Sequence, residues 1–360
     1  MLLISQKNRI LVLVFFLFLC VSGCAGITPG RGTGYESSNV FIDVPFVKQE
    51  KNYCGPAALS SVFAFWGVSR SQEEIAGHVF EPDLSGSLNI SLEQYAKENG
   101  FWAKGYRADL AILAERLRAG IPLIVMERLH PFILRRNHFS VVAGFDEKNK
   151  LIIEHTGAKA GVRRSVRGFL RNWQAAGMWM LEIMPLEKAG TILLNNEDKV
   201  ELGVLLEKQG EWESALRRYQ SVSEASRHTP LVLFNIGNVY SRLQVWDKAI
   251  ASYREALNLD DSFADCYNNL ACAYLRQNNY APAHAAVDKA LAMESNHRFY
   301  YLDTKAQIFF AEHNDAAALK CVQEAENYLG GIPPEAVRSF HELWDGKFGA
   351  VDASGTDCRR

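Results

Sequence analysis

Beyond its first 24 residues, this 360-residue chain has no apolar run approaching the 18 or so residues that a membrane-spanning helix needs. Long runs of a single charge are also missing. Lys and Arg number 39 against 41 Asp and Glu, a formal net charge of −2 with the two signs interspersed. That balance offers no polyelectrolyte surface, so nucleic acid is not an expected partner. The seven cysteines contain no CxxC pair, which removes the zinc-ribbon and thioredoxin readings. No metal or other cofactor is expected. Cys266 and Cys272, inside a helical region, read as small core residues.

What is present begins at the N-terminus. Lys7 and Arg9 precede a twelve-residue apolar run, Ile10 to Val21, too short to span a bilayer and suited to a secretory signal. Val21-Ser22-Gly23-Cys24 follows and resembles the bacterial lipobox. The resemblance implies that residues 1–23 are a lipoprotein signal peptide and that Cys24 is lipidated. Acyl chains then hold the protein on a membrane without a spanning helix. Ala25, in place of the Asp that retains lipoproteins at the inner membrane, leans the expectation towards a bacterial outer membrane, facing the periplasm. Residues 24–39, rich in Gly, Ser and Thr, read as a flexible tether to this cell envelope.

Residues 40–187 mix helix and strand signals. Pro56–Trp66, Ser71–His78, Ser91–Asn99 and Asp109–Ala119 read as helices, three of them stopped by a following glycine. Strand-like runs come later: Pro122–Met126, His138–Phe145 paired as a hairpin with Leu151–Glu154, and Met178–Met184. Helices first and an antiparallel-leaning sheet afterwards predict an α+β domain.

After Ala189 the strand signals vanish and a repeat appears. Gly203, Gly237, Ala271 and Ala306 are spaced by 34, 34 and 35 residues, as are Ala215, Ala249, Ala283 and Ala318. A third set is Val222, Ala256, Ala290 and Ala325. Small residues at such a period mark the crossing points of paired helices. The pattern resembles the tetratricopeptide repeat (TPR) and implies an all-α solenoid of about four repeats over residues 195–330. A capping helix and a disordered tail are expected over 331–360. The concave groove of such an array takes a protein partner. Asn235 and Asn269, 34 apart, read as polar packing residues with the groove as the alternative.

The chemistry-bearing stretch is VPFVKQEKNYCGPAALSSVFAFW, Val44 to Trp66. Pro56 suits a first helical turn, which places Cys54 at a helix N-terminus where partial positive charge favours a thiolate. Gln49, five residues earlier, is near enough to return beside the sulfur and donate to an oxyanion, with the Cys54 N–H as second donor. The base must be a histidine remote in sequence. His138 opens the run HFSVVAGFD at the mouth of a strand and is favoured; His130, in a loop before Pro131, competes, and His78 reads as a helix-end cation.

QEKNYCGPAALSS followed by NHFSVVAGFD resembles cysteine peptidase family 39, the bacteriocin-processing double-glycine peptidases. The resemblance implies a papain-like fold over residues 40–187, Cys54 as nucleophile, His138 as general base and Gln49 in the oxyanion hole. One departure stands out. Where the family has an Asp that orients the histidine, this chain has His155-Thr156. His155 is therefore a candidate third member that brings no negative charge. Glu154 is expected on the opposite sheet face and Asp146 in the hairpin turn. The expected activity is that of an envelope-anchored cysteine peptidase on a peptide or protein substrate. A weak or inactive papain-like binding module in a lipid-anchored TPR adaptor is the alternative, and acyl transfer to an amine is a third.

Overall fold

The computed structural model describes residues 39–129, 136–192 and 194–347. The signal peptide, Cys24, nearly all of the tether, His130 and the chain beyond 347 lie outside the described residues.

The first part runs β1 (Val40–Phe41), α1 (Cys54–Phe65), α2 (Gln72–Val79), β2 (Phe80–Glu81), β3 (Gly86–Ser87), α3 (Asn89–Glu98), β4 (Phe101–Arg107), α4 (Leu110–Arg118), β5 (Leu123–Leu129), β6 (Arg136–Asp146), β7 (Leu151–His155), β8 (Val162–Ser165), α5 (Val166–Ala175), β9 (Trp179–Pro185) and α6 (Leu186–Ala189). Seven strands form one sheet in the order β4-β9-β5-β6-β7-β8, with β1 also on β6, and every ladder is antiparallel. This is the α+β papain-like layout expected from the sequence.

Local signals explain the starts of several helices. Ser71 accepts from the N–H of Glu74 and Asp109 from that of Ile112, so each helix gains a cap for an otherwise unpaired donor. The third helix differs from expectation: it starts at Asn89, so Ser91 lies inside it. Strand β4 carried no clear alternation because Phe101, Trp102 and Ala103 are all buried. Helix α1 is buried on every side from Gly55 to Phe63, as a central core helix must be. Phe63 stacks on Phe101 at 4.8 Å, and the Trp66 indole N–H donates to the Ile183 carbonyl of β9. The helix that carries Cys54 is thus locked against the sheet at its far end.

The second part is all helical: α7 (Asn196–Lys208), α8 (Trp212–Gln220), α9 (Glu224–Arg227), α10 (Pro230–Arg242), α11 (Trp246–Leu259), α12 (Ala264–Arg276), α13 (Tyr280–Leu291), α14 (Arg298–Ala311), α15 (Asp315–Glu326) and α16 (Pro334–Lys347). Phe340 and Trp344 of α16 bury against the Phe299, Leu302 and Ala306 cluster, closing its end. Cys266 and Cys272 are buried free thiols in α12.

The repeat positions have a packing cause. A Cβ on Gly203 or Gly237 would sit 2.5 Å from the ring of Tyr219 or Tyr253 respectively, each sixteen residues on. In the later repeats the corresponding pairs are Ala271 with Val287 and Ala306 with Val322. A larger first residue thus goes with a smaller second one. Gly237→Ala is accordingly expected to destabilise the array by about 1–3 kcal/mol through overpacking. That exceeds the gain of about 1 kcal/mol from helix propensity. Urea unfolding midpoints report it, and adding Tyr253→Val should recover most of the loss.

The two parts share one core. One hydrophobic cluster reaches from Ile42 to Val239 and includes Leu202, Ala215 and Tyr219 of the first repeat. Polar ties reinforce the junction. Lys104 pairs with Asp198, Lys97 bridges Glu93 and Glu201, and Gln209 donates to the Gly100 carbonyl. The first repeat is therefore built onto the sheet rather than hung from a linker.

Candidate active site

Helix α1 begins at Cys54 and has no side-chain cap at Tyr53. Its first N–H groups need acceptors. The Cys54 sulfur lies close to them and to β6: the backbone N–H groups of Phe139, Gly55 and Cys54 each pull its thiol towards the anion. Phe139 immediately follows His138 on β6, so the fold sets Cys54 against the strand that carries His138. Burial works against the expected thiolate. Cys54 is largely enclosed, and burial pushes its thiol up from the ordinary value, against the opposing pull of the three N–H groups. A helix N-terminus favours the anion, but here desolvation is the larger effect.

His138 Nε2 lies 3.1 Å from the Thr156 carbonyl oxygen. A carbonyl only accepts, so Nε2 carries the proton and Nδ1 keeps its lone pair in the neutral ring. That is the tautomer a general base needs. Burial holds the imidazole below its ordinary value; the Thr156 contact opposes this, and the Arg164 guanidinium adds to it. Burial thus disfavours charge on both groups, the thiol and the imidazole.

His155 is not the group that orients His138. Its Nε2 lies 2.8 Å from the Val44 carbonyl, and its Nδ1 accepts from the N–H of Gly161 at 3.1 Å. Both ring nitrogens are engaged elsewhere, so the neighbouring Thr156 carbonyl stands where a carboxylate was sought. The sheet explains the displacement. A bulge in β6 between Val142 and Gly144 shifts the register, pairing Val142 with Glu154 and Val141 with His155. Residues opposite each other share a face, and a slip by one residue exchanges faces. Glu154 therefore lies on the face of His138, correcting the expectation from simple alternation, and His155 lies on the other.

Glu127, directly opposite His138 on β5, is on that same face. Its carboxylate takes both oxygens to Arg164 Nη1 at 2.9 and 2.8 Å, and Arg164 Nη2 lies 2.6 Å from Glu154. Two fully buried carboxylates share one guanidinium. Burial and the Glu127 charge push the Glu154 carboxyl up to about 8, with Arg164 opposing. This cluster was not legible in the sequence: its three members come from three strands. Asp146 stays in the hairpin turn, accepting from Asn149.

Gln49 sits where the loop before α1 meets the loop after β7. Its N–H donates to the Gly157 carbonyl at 2.8 Å. Its Oε1 is buried against the Gly157 Cα, without a hydrogen-bond partner among the described residues. Gly157 has φ +70°, a left-handed conformation that glycine adopts freely. Consecutive carbonyls, Thr156 and Gly157, thus hold the base and the oxyanion candidate. Nearby, Tyr53 meets Phe80 edge-on at 5.3 Å and Gly55 packs on Ser87, so the β2–β3 hairpin walls the mouth of α1.

In the helical part, a groove of about 980 Å³ is lined by Trp212, Phe234, Trp246, Asn269, Arg276 and Tyr300, among others. Asn269 donates to Asn238 at 2.9 Å within it. Asn235, by contrast, is buried at Tyr219 as a packing residue. The two equivalent asparagines therefore divide between the two roles considered for them.

Residues 41–179 match the model of the Peptidase_C39 like family. Residues 200–231 and 228–296 match tetratricopeptide repeat models. An uncharacterised protein of Methanothermobacter marburgensis is 26% identical over 136 residues, covering 37% of this chain and 86% of the relative. Among solved structures, the peptidase domain of Streptococcus ComA, a bi-functional ABC transporter, is 22% identical; the match covers 39% of this chain and 98% of that one, with a TM-score of 0.34. Pseudomonas aeruginosa pilF is 16% identical over 45% of this chain and 71% of its own, with a TM-score of 0.36. The chain joins a C39-like peptidase domain to an array of tetratricopeptide repeats.

Proposed function

We propose that the protein is a cysteine peptidase anchored in the bacterial envelope through lipidated Cys24, with the repeat groove recruiting a partner or the substrate protein. The reading is supported by one observation: the Cys54 sulfur sits against the Phe139 N–H, and His138, the residue before Phe139, turns its Nε2 to the Thr156 carbonyl, which leaves the Nδ1 lone pair to act as the base. Cys54 attacks the scissile carbonyl as His138 Nδ1 takes the thiol proton. The new C–S bond forms, the C–N bond breaks, and the imidazolium returns its proton to the leaving amine. Water then resolves the thioester, activated by the same imidazole. The Cys54 N–H and the Gln49 amide are the donors for the oxyanion. Proton transfer accompanies attack, since burial disfavours a standing ion pair.

A second reading has its own support. The raised thiol and the neutral carbonyl behind His138 both weaken the nucleophile, as expected of a slow or inactive binding module in a TPR adaptor. One experiment separates them. The purified protein is mixed with an activated peptide ester, quenched and digested, and the peptides are weighed by mass spectrometry. An acyl mass on the peptide containing Cys54, absent in Cys54→Ser, supports the peptidase. Acylation spread over surface lysines, with none at Cys54, supports the adaptor.

A further inference from the structure

Gln72 is the first residue of α2 and is almost fully buried, with 9% of its surface exposed. Apolar residues would fill such a place at less cost unless the amide were used. Both of its ends are used, and on the same short segment. Gln72 Oε1 accepts from the Glu50 N–H at 3.0 Å, and Gln72 Nε2 donates to the Lys48 carbonyl at 3.1 Å. These are the two residues flanking Gln49. The N–H of Gln49 itself is taken by Gly157. The backbone at 48–50 is therefore fixed from both sides, by α2 and by the loop that also holds His138.

We propose that Gln72 is a positioning residue for the oxyanion donor: its side-chain amide clamps the peptide groups on either side of Gln49 and so sets where the Gln49 amide points. The inference rests on the peptidase reading above. It assigns Gln72 no contact with the substrate. The segment it clamps belongs to no helix or strand, so no ladder would hold Gln49 in its place. A side chain aimed from an irregular loop needs such support if its donor is to stay within hydrogen-bond range of a developing charge.

The test exploits a difference in chemistry. Alkylation of Cys54 by iodoacetamide needs the sulfur and the base but builds no oxyanion. Ester or peptide turnover needs all three. Gln72→Met keeps the length and most of the volume and removes both hydrogen bonds; Gln72→Glu keeps only the acceptor. In the full chain, Gln72→Met is expected to lower kcat by about tenfold or more with KM little changed, while the alkylation rate of Cys54 stays within about twofold of the wild type. Gln72→Glu should fall between. Unchanged turnover in Gln72→Met would overturn the assignment, and so would a parallel fall in alkylation, which would mean general loosening of α1. Wild-type protein that alkylates at Cys54 but turns over no ester removes the peptidase reading itself, and this inference with it; that outcome is distinct because it appears before any variant is made.

Discussion

Replacing His138 with alanine is expected to lower kcat/KM for an activated peptide ester by about 10²–10⁴-fold, the usual contribution of a general base. The surroundings of His138 also give the pH dependence its direction. Burial and Arg164 hold the imidazole below its ordinary value of 6.5, so the base stays unprotonated to lower pH than a free histidine. The acid limb of kcat/KM should therefore fall below pH 6.5, and it should disappear in His138→Ala. The thiol shifts the other way. With Cys54 pushed above its ordinary value of 9.0, alkylation by iodoacetamide should climb steadily with alkaline pH and show no plateau in the acid range. A flat alkylation rate from pH 5 to 8 would instead reveal a standing thiolate–imidazolium pair, and with it a less desolvated sulfur than the fold provides.

The second large effect is expected at Gly157. A methyl group there would overlap Gln49 Oε1 and lie 2.8 Å from Cδ and 3.1 Å from Cγ. The amide must move, and loss of an oxyanion donor typically costs about 10²–10³-fold in kcat. Gly157→Ala should show a fall of that order with little change in KM. Part of the effect could be attributed to strain, because Gly157 has φ +70°. Gly161→Ala supplies the control. It has φ +59°, and an added Cβ would meet nothing within 4 Å. Both variants should lose about 1–2 kcal/mol of stability from the left-handed backbone. Only Gly157→Ala should lose turnover. Equal losses of activity in the two would mean that the loop's conformation matters and the Gln49 contact does not.

The loop from Thr156 to Gly161 links these expectations. Thr156 holds the base, Gly157 holds Gln49, and His155 ties the start of the loop to Val44 and its end to Gly161. The histidine considered as a third catalytic member does structural work instead, keeping in register the loop whose carbonyls orient the site. The neutral Thr156 carbonyl fixes the tautomer of His138 as a carboxylate would, but it offers an imidazolium no opposite charge. Of the carboxylates on that face, Glu127 is hydrogen-bonded to Arg164 through both oxygens, and Glu154 lies in ion-pair range of the same guanidinium.

By itself the sequence determined the two-part architecture, the antiparallel sheet and the repeat, because hydrophobic period and small-residue spacing are local properties that any packed solution must respect. It also placed Cys54 at a helix start, since Pro56 and the apolar run behind it leave few other arrangements. Tertiary structure decided the rest. The bulge between Val142 and Gly144 exchanged the faces of Glu154 and His155, and a one-residue slip leaves no mark in a run of apolar residues. The partner of His138 is a backbone carbonyl, an atom every residue carries and no side-chain motif can announce. The sign of the Cys54 shift was set by enclosure, which outweighs the helix terminus. That balance depends on how many atoms from β6 and the surrounding core exclude water from the sulfur, and only the folded chain brings them there.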